Sequence, residues 1–150
     1  FGGVEHRIEL VRELGGVRYY NDSIASSPSR TIAGLRSFDR KVILIAGGYD
    51  KHIPYDVLGP EIIEHVKVLL LTGDTAGKIK SATIAAPGYV ENGPKIWECA
   101  DLGQAVERAR ELAAPGDVVI LSPASASFDR FKNFEERGKV FKDLVNALAE

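Results

Sequence analysis

V-V-I-L-S-P-A-S-A-S-F-D-R-F-K-N-F-E-E-R-G, residues 118–138, is the stretch on which the fold turns. Its first four residues, Val118, Val119, Ile120 and Leu121, are apolar without alternation, the pattern of a short strand buried on both faces. Pro123 stops the strand, and small hydroxyl residues then occupy the passage into a long helical pattern over 129–148. Phe131, Phe134, Phe141, Leu144 and Val145 are its expected inner face. In an open α/β sheet, the edge outside the carboxyl ends of the strands is where ligands bind. Ser125 and Ser127 can hydrogen-bond a polar ligand there, with Ala124 and Ala126 leaving room beside the backbone. The same serines equally suit a turn and an N-cap, and these residues alone leave both readings open.

Working outward, other runs repeat the scheme. Residues 41–46, K-V-I-L-I-A, and 68–72, V-L-L-L-T, read as buried strands, and 95–98 as a short one. Helices are expected over 28–37, where Pro28 follows a serine, and over 54–66, where Gly59-Pro60 threatens a break or a later start. Two more are expected over 75–85 and over 102–113, the latter capped by Asp101. Residues 8–12 and 17–22 read as two strands joined by a turn at Glu13-Leu14-Gly15-Gly16, hence a hairpin. Strands alternating with helices, each strand apolar throughout, specify a Rossmann-like α/β fold. We expect a mostly parallel sheet of about six strands, an antiparallel N-terminal edge strand, and helices on both faces.

Composition bounds the rest. The 150 residues suit one domain, and 45% hydrophobic and 27% charged residues with a formal net charge of −2 describe an ordinary globular chain. Neither nucleic acid nor an anionic membrane is an expected partner, since both call for a basic excess. No apolar run approaches the length of a membrane span. Cys99 is the one cysteine, which fits a cytosolic, reducing setting and reads as a structural thiol. The chain opens Phe1-Gly2-Gly3 and contains no Met, from which we expect a piece excised from a longer protein.

Three strand ends carry polar groups that such a sheet would gather on one edge: Asn21-Asp22-Ser23 with Ser26 and Ser27, Gly47-Gly48-Tyr49-Asp50-Lys51, and residues 125–133. Hydroxyls, a lysine and a helix amino end near one point suit a carboxylate or a phosphate. The Gly-Gly loop has neither the Walker spacing nor the dinucleotide fingerprint. His6, His52 and His65 show no metal-ligand spacing with each other or with Cys99, and no nucleophile–base set can be defended, so no catalytic or metal residue is assigned. The chain reads as a binding surface that completes another domain's chemistry.

These stretches resemble the C-terminal domain of the Mur ligases. The likeness rests on V-E-H-R at residues 4–7, N-D-S at 21–23, G-G-x-D-K at 47–51, P-G-D at 115–117 and, most specifically, residues 121–138. It is nearest the branch that adds D-glutamate to UDP-N-acetylmuramoyl-L-alanine in peptidoglycan synthesis. The resemblance implies an ATP-dependent amide-forming ligase working through an acyl phosphate with Mg²⁺. Residues 1–150 would be its amino-acid-binding domain, inactive alone, with the phosphate loop, the Mg²⁺ ligands and the UDP-sugar site on missing domains. It further implies that Ser26, Lys51 and Ser127 bind the D-glutamate carboxylates, assisted by the backbone at Phe128 and Phe134, and that Arg7 and Asp22 touch ATP, Asp22 at the ribose. The chain departs from the pattern where many members have D-S-K-A-T-N: Ile24 replaces the lysine and Ser26 the threonine. We infer that Lys51 or Arg30 takes more of the carboxylate. A sister Mur ligase, a folylpolyglutamate synthetase and a nucleotide-binding regulatory module are the alternatives.

Overall fold

The computed structural model describes residues 4–128 and 130–150. Strands β1 (Glu9–Leu14) and β2 (Val17–Asn21) form the hairpin, turning at Gly15-Gly16 alone. Glu13 and Leu14, expected in the turn, belong to β1 because two positive-φ glycines suffice to reverse the chain. Next come α1 (Pro28–Leu35), β3 (Val42–Ala46), α2 (Leu58–His65), β4 (Val66–Leu71), α3 (Ala76–Ala85) and α4 (Tyr89–Asn92). The chain ends with β5 (Lys95–Glu98), α5 (Leu102–Leu112), β6 (Val118–Leu121) and α6 (Phe134–Asn146). Helix α2 takes the later start, four residues past Pro54, and passes into β4 at Val66 without a loop.

The six strands lie in the order β1-β2-β6-β3-β4-β5, antiparallel between β1 and β2 and parallel elsewhere. This is the expected Rossmann-like α/β sheet. Two cores flank it. Alternate strand residues Val42, Leu44, Leu69, Leu71 and Ile120 meet Leu35, Leu58, Ile62 and Ile79 of α1, α2 and α3. The intervening residues Ile43, Ile45, Leu70, Val119 and Leu121 meet Ala105, Val106, Phe141 and Val145 of α5 and α6. Period-two alternation with both faces covered is why β3 and β6 carry no polar residue and β4 carries one, the exposed Lys67 near its start.

Helix α6 begins later than expected. The predicted start at Asp129 lies outside the described residues, and the helix itself starts at Phe134, with Asn133 as its N-cap. Asn133 Oδ1 accepts from Glu136 N at 2.8 Å, and Glu136 Oε1 accepts from Lys132 N at 3.0 Å, a reciprocal arrangement close to a capping box. Phe131 therefore sits in the turn before the helix, packed against the second core, and Phe134 stands at the first helical position with its ring edge-on to His6 at 5.9 Å. Phe141 and Val145 supply the buried apolar face of the helix, and Leu148 is buried just beyond its end.

Candidate functional site

Because β2, β6 and β3 are adjacent and parallel, their carboxyl ends open on the same edge, and hydrogen bonds tie the loops that leave them. Ala124 N donates to Ala25 O at 2.9 Å, joining the loops after β6 and β2. Gly47 N donates to Pro123 O at 2.9 Å and Tyr49 N to Ala126 O at 2.8 Å, joining the loops after β3 and β6. The Tyr49 and Phe128 rings meet edge to face at 5.8 Å on the outer side of this seam, Phe128 being 66% exposed. Lys51 is exposed on the β3 loop, Ser26 half-buried on the β2 loop and Ser127 buried on the β6 loop. Phe134 enters from α6, its carbonyl accepting from Ser23 Oγ at 2.7 Å.

Arg7, Asp22 and Arg30 line a separate cleft of about 460 Å³ on the β2 side of the same edge, together with Ile24 and Ser29. Asp22 is buried: Oδ1 accepts from Ile8 N at 3.1 Å and Oδ2 from Ser122 Oγ at 2.8 Å. Burial pushes its carboxyl up to about 6, against the opposing pull of the Ser122 and Ile8 hydrogen bonds and of the Arg7 and Arg30 charges. Arg30 thus faces Asp22 and Arg7 from α1, on the same cleft as Ile24.

The upward shift of the Asp22 pKa sets the direction in which stability changes with pH. A carboxyl that holds its proton more tightly when folded than its ordinary value of 3.8 makes the fold lose stability as pH rises between about 4 and 6. The loss attributable to Asp22 is about 3 kcal/mol once the group is ionised. Asp22→Asn, which can still accept from Ile8 and bond Ser122, is expected to remove that component. Urea midpoints of both proteins at pH 4.5 and 7.5 measure it, and equal pH slopes would show that another group titrates.

One functional side chain escaped the sequence reading. Arg137 of α6 is 3% exposed and reaches under both loops: Nε donates to Ser23 Oγ at 2.9 Å, Nη2 to Ser23 O at 2.7 Å and Nη1 to Ser125 O at 2.9 Å. A planar fork that bonds two backbone carbonyls at once fixes the β2 loop against the β6 loop. Its signal was an arginine one helical turn after the cap, on the buried side of an amphipathic pattern.

A doubly covered sheet whose β2, β3 and β6 loops are hydrogen-bonded together on one rim defines a Rossmann-like domain with a candidate ligand site at its strand ends. Residues 6–125 match the family model described as "Mur ligase, glutamate ligase domain", and the chain belongs to that family. It is 63% identical over 150 residues to the UDP-N-acetylmuramoylalanine–D-glutamate ligase of Acetivibrio thermocellus and 59% identical to that of Ruminiclostridium cellulolyticum, covering 99% of this chain in each case. It spans 32% of the length of those relatives. Among solved structures, the murein peptide ligase Mpl of Psychrobacter arcticus superposes with a TM-score of 0.65 at 17% identity, covering all of this chain and 32% of that one. A bifunctional folylpolyglutamate synthase/dihydrofolate synthase of Yersinia pestis superposes with a TM-score of 0.65 at 17% identity, covering 95% and 32%. At such identities the structural likeness speaks for the fold alone.

Proposed function

We propose that the chain is the C-terminal, amino-acid-binding domain of a longer cytoplasmic ATP-dependent ligase that joins D-glutamate to UDP-N-acetylmuramoyl-L-alanine. The observation that carries this reading is the meeting of the β2, β3 and β6 loops, bearing Ser26, Lys51 and Ser127, on one rim of a chain whose curated relatives are named for that ligation. Those names favour D-glutamate over the substrate of a sister Mur ligase or of a folylpolyglutamate synthetase, and the family match speaks against a regulatory nucleotide-binding module.

The chemistry is an acyl transfer. ATP supplies a phosphoryl group to the muramoyl-alanine carboxylate, the D-glutamate amine attacks the activated carbonyl, and inorganic phosphate leaves. This chain's share is to present the amine. The Lys51 ammonium pairs a carboxylate while the Ser26 and Ser127 hydroxyls and the backbone at Phe128 and Phe134 orient it. Phe134 suits that role because the N–H of a first helical residue has no acceptor within its own helix. For ATP, Arg7 and Asp22 line a cleft roomy enough for part of a nucleotide, with a buried carboxylate to accept from a ribose hydroxyl and two arginines for negative charge. The resemblance to the Mur ligases assigns the Mg²⁺ ligands to the remainder of the longer protein. Among the described residues no helix is long and apolar enough to cross a membrane.

The test is made in the full-length enzyme. Lys51→Ala removes one charge-assisted hydrogen bond and is expected to raise KM for D-glutamate roughly tenfold to a hundredfold. An unchanged KM removes Lys51 from the site. Turnover with another amino acid and none with D-glutamate rejects the substrate.

A further inference from the structure

Behind the rim lies a file of buried hydroxyls. Thr75 and Ser125 are fully buried and Tyr55 is 3% exposed. Gly48 N lies 3.0 Å from Thr75 Oγ1, Thr75 Oγ1 2.8 Å from Ser125 Oγ, Ser125 Oγ 2.9 Å from Tyr55 Oη, and Tyr55 Oη 2.9 Å from Ala124 O. The two ends fix the direction of every bond. An amide N–H can only donate and a carbonyl can only accept. Tyr55 therefore gives its single proton to Ala124 O and accepts from Ser125. Ser125 in turn accepts from Thr75, and Thr75 accepts from Gly48. Each hydroxyl donates once and accepts once, and the file admits one arrangement.

Those three residues come from three places: Tyr55 from the segment before α2, Thr75 from the segment between β4 and α3, and Ser125 from the loop after β6. Gly48 stands three residues before Lys51, and Ser125 two residues before Ser127. We infer that Tyr55, Thr75 and Ser125 are positioning residues for the amino-acid substrate, their directed hydrogen-bond file setting the Lys51 loop against the Ser127 loop. None of the three touches the proposed ligand. They act through the spacing of groups that do. Gly48 and Ala124, the two ends, have no freedom to slide past one another while the file is intact, because a shift at either end breaks a bond to a buried hydroxyl.

The inference rests on the ligase reading above, and the experiment separates the two. In the full-length enzyme, Thr75→Val keeps the side-chain shape and removes the hydroxyl, leaving Gly48 N–H without an acceptor and Ser125 without a donor. It is expected to raise KM for D-glutamate about tenfold while leaving KM for ATP unchanged. Thr75→Ser, which restores the hydroxyl, is expected to hold the wild-type KM. A rise in KM for D-glutamate below about threefold overturns the inference, as does an equal rise for ATP, the result expected of general loosening. A KM in Thr75→Ser as high as in Thr75→Val also overturns it. Should Thr75→Val fail to fold, Tyr55→Phe cuts the file at its other end and is read the same way. If the wild-type enzyme condenses a different amino acid, the D-glutamate assignment falls, and the same comparison made with that amino acid decides the positioning role.

Discussion

Gly47→Ala is expected to destabilise the chain by about 3–5 kcal/mol, the sum of a left-handed backbone forced on an alanine and a steric conflict that no side-chain movement relieves. Gly47 closes β3 with φ of +105°, a conformation in which an L side chain is strained whatever space surrounds it. A Cβ there would also fall well inside contact distance of the Thr72 carbonyl oxygen, on the neighbouring strand end. Neither party can retreat: Gly47 N is bonded to Pro123 O, and Thr72 N to Ala46 O at 3.1 Å. For a domain of this size the loss corresponds to a fall in Tm of roughly 10 °C. Gly77, in the first turn of α3 with open space where a Cβ would stand, is the control; Gly77→Ala is expected to gain roughly 0.5 kcal/mol. Urea denaturation of the two variants beside wild type measures both. A loss at Gly47 of no more than about 1 kcal/mol, the ordinary cost of a point change, would show that the two loops can part. Since Lys51 hangs from this loop, the residual activity of Gly47→Ala in the full-length ligase should fail through KM for D-glutamate before KM for ATP.

The doubly covered parallel sheet was legible because Val42–Ala46, Val66–Leu71 and Val118–Leu121 are apolar at nearly every position, and only burial on both faces demands that. The hairpin was legible in Gly15-Gly16. Strand order was not: β6, last in sequence, slots between β2 and β3, and no local pattern encodes a neighbour reached across a hundred residues. That insertion is what places the Ser125 loop between the Ser23 and Gly48 loops, so the convergence of the three loops could be expected from the fold class while the order in which they stand along the rim could not. The start of α6 was misplaced because Phe131 and Phe134 stand at helical spacing, and periodicity outweighed the cap signal N-F-E-E three residues on. Tyr55 and Thr75 went unremarked for another reason. A hydroxyl in a file of hydrogen bonds has no sequence periodicity, and its partners lie 50 and 70 residues away.

Arg137→Met is expected to cost roughly 3–5 kcal/mol, because it withdraws charge-assisted donors from two buried carbonyls at once and offers nothing in return. Methionine fills much of the volume left by the arginine stem, so the loss reports hydrogen bonding rather than a cavity. Arg137→Lys keeps the charge but presents one tetrahedral ammonium where a planar fork spanned Ser23 O and Ser125 O, and it should recover less than half of the stability. The ordering wild type, lysine, methionine in thermal midpoint is the signature of a fork-shaped role; equal losses for the two variants would assign the effect to packing alone. The functional consequence follows from where the fork reaches. Ser23 adjoins Asp22 of the cleft lined by Arg7 and Arg30, and Ser125 adjoins the loop that carries Ser127, so one guanidinium braces both the nucleotide side and the amino-acid side of the rim. In the full-length enzyme Arg137→Lys should therefore raise KM for ATP and for D-glutamate together, in contrast to the hydroxyl variants, which move the amino acid alone.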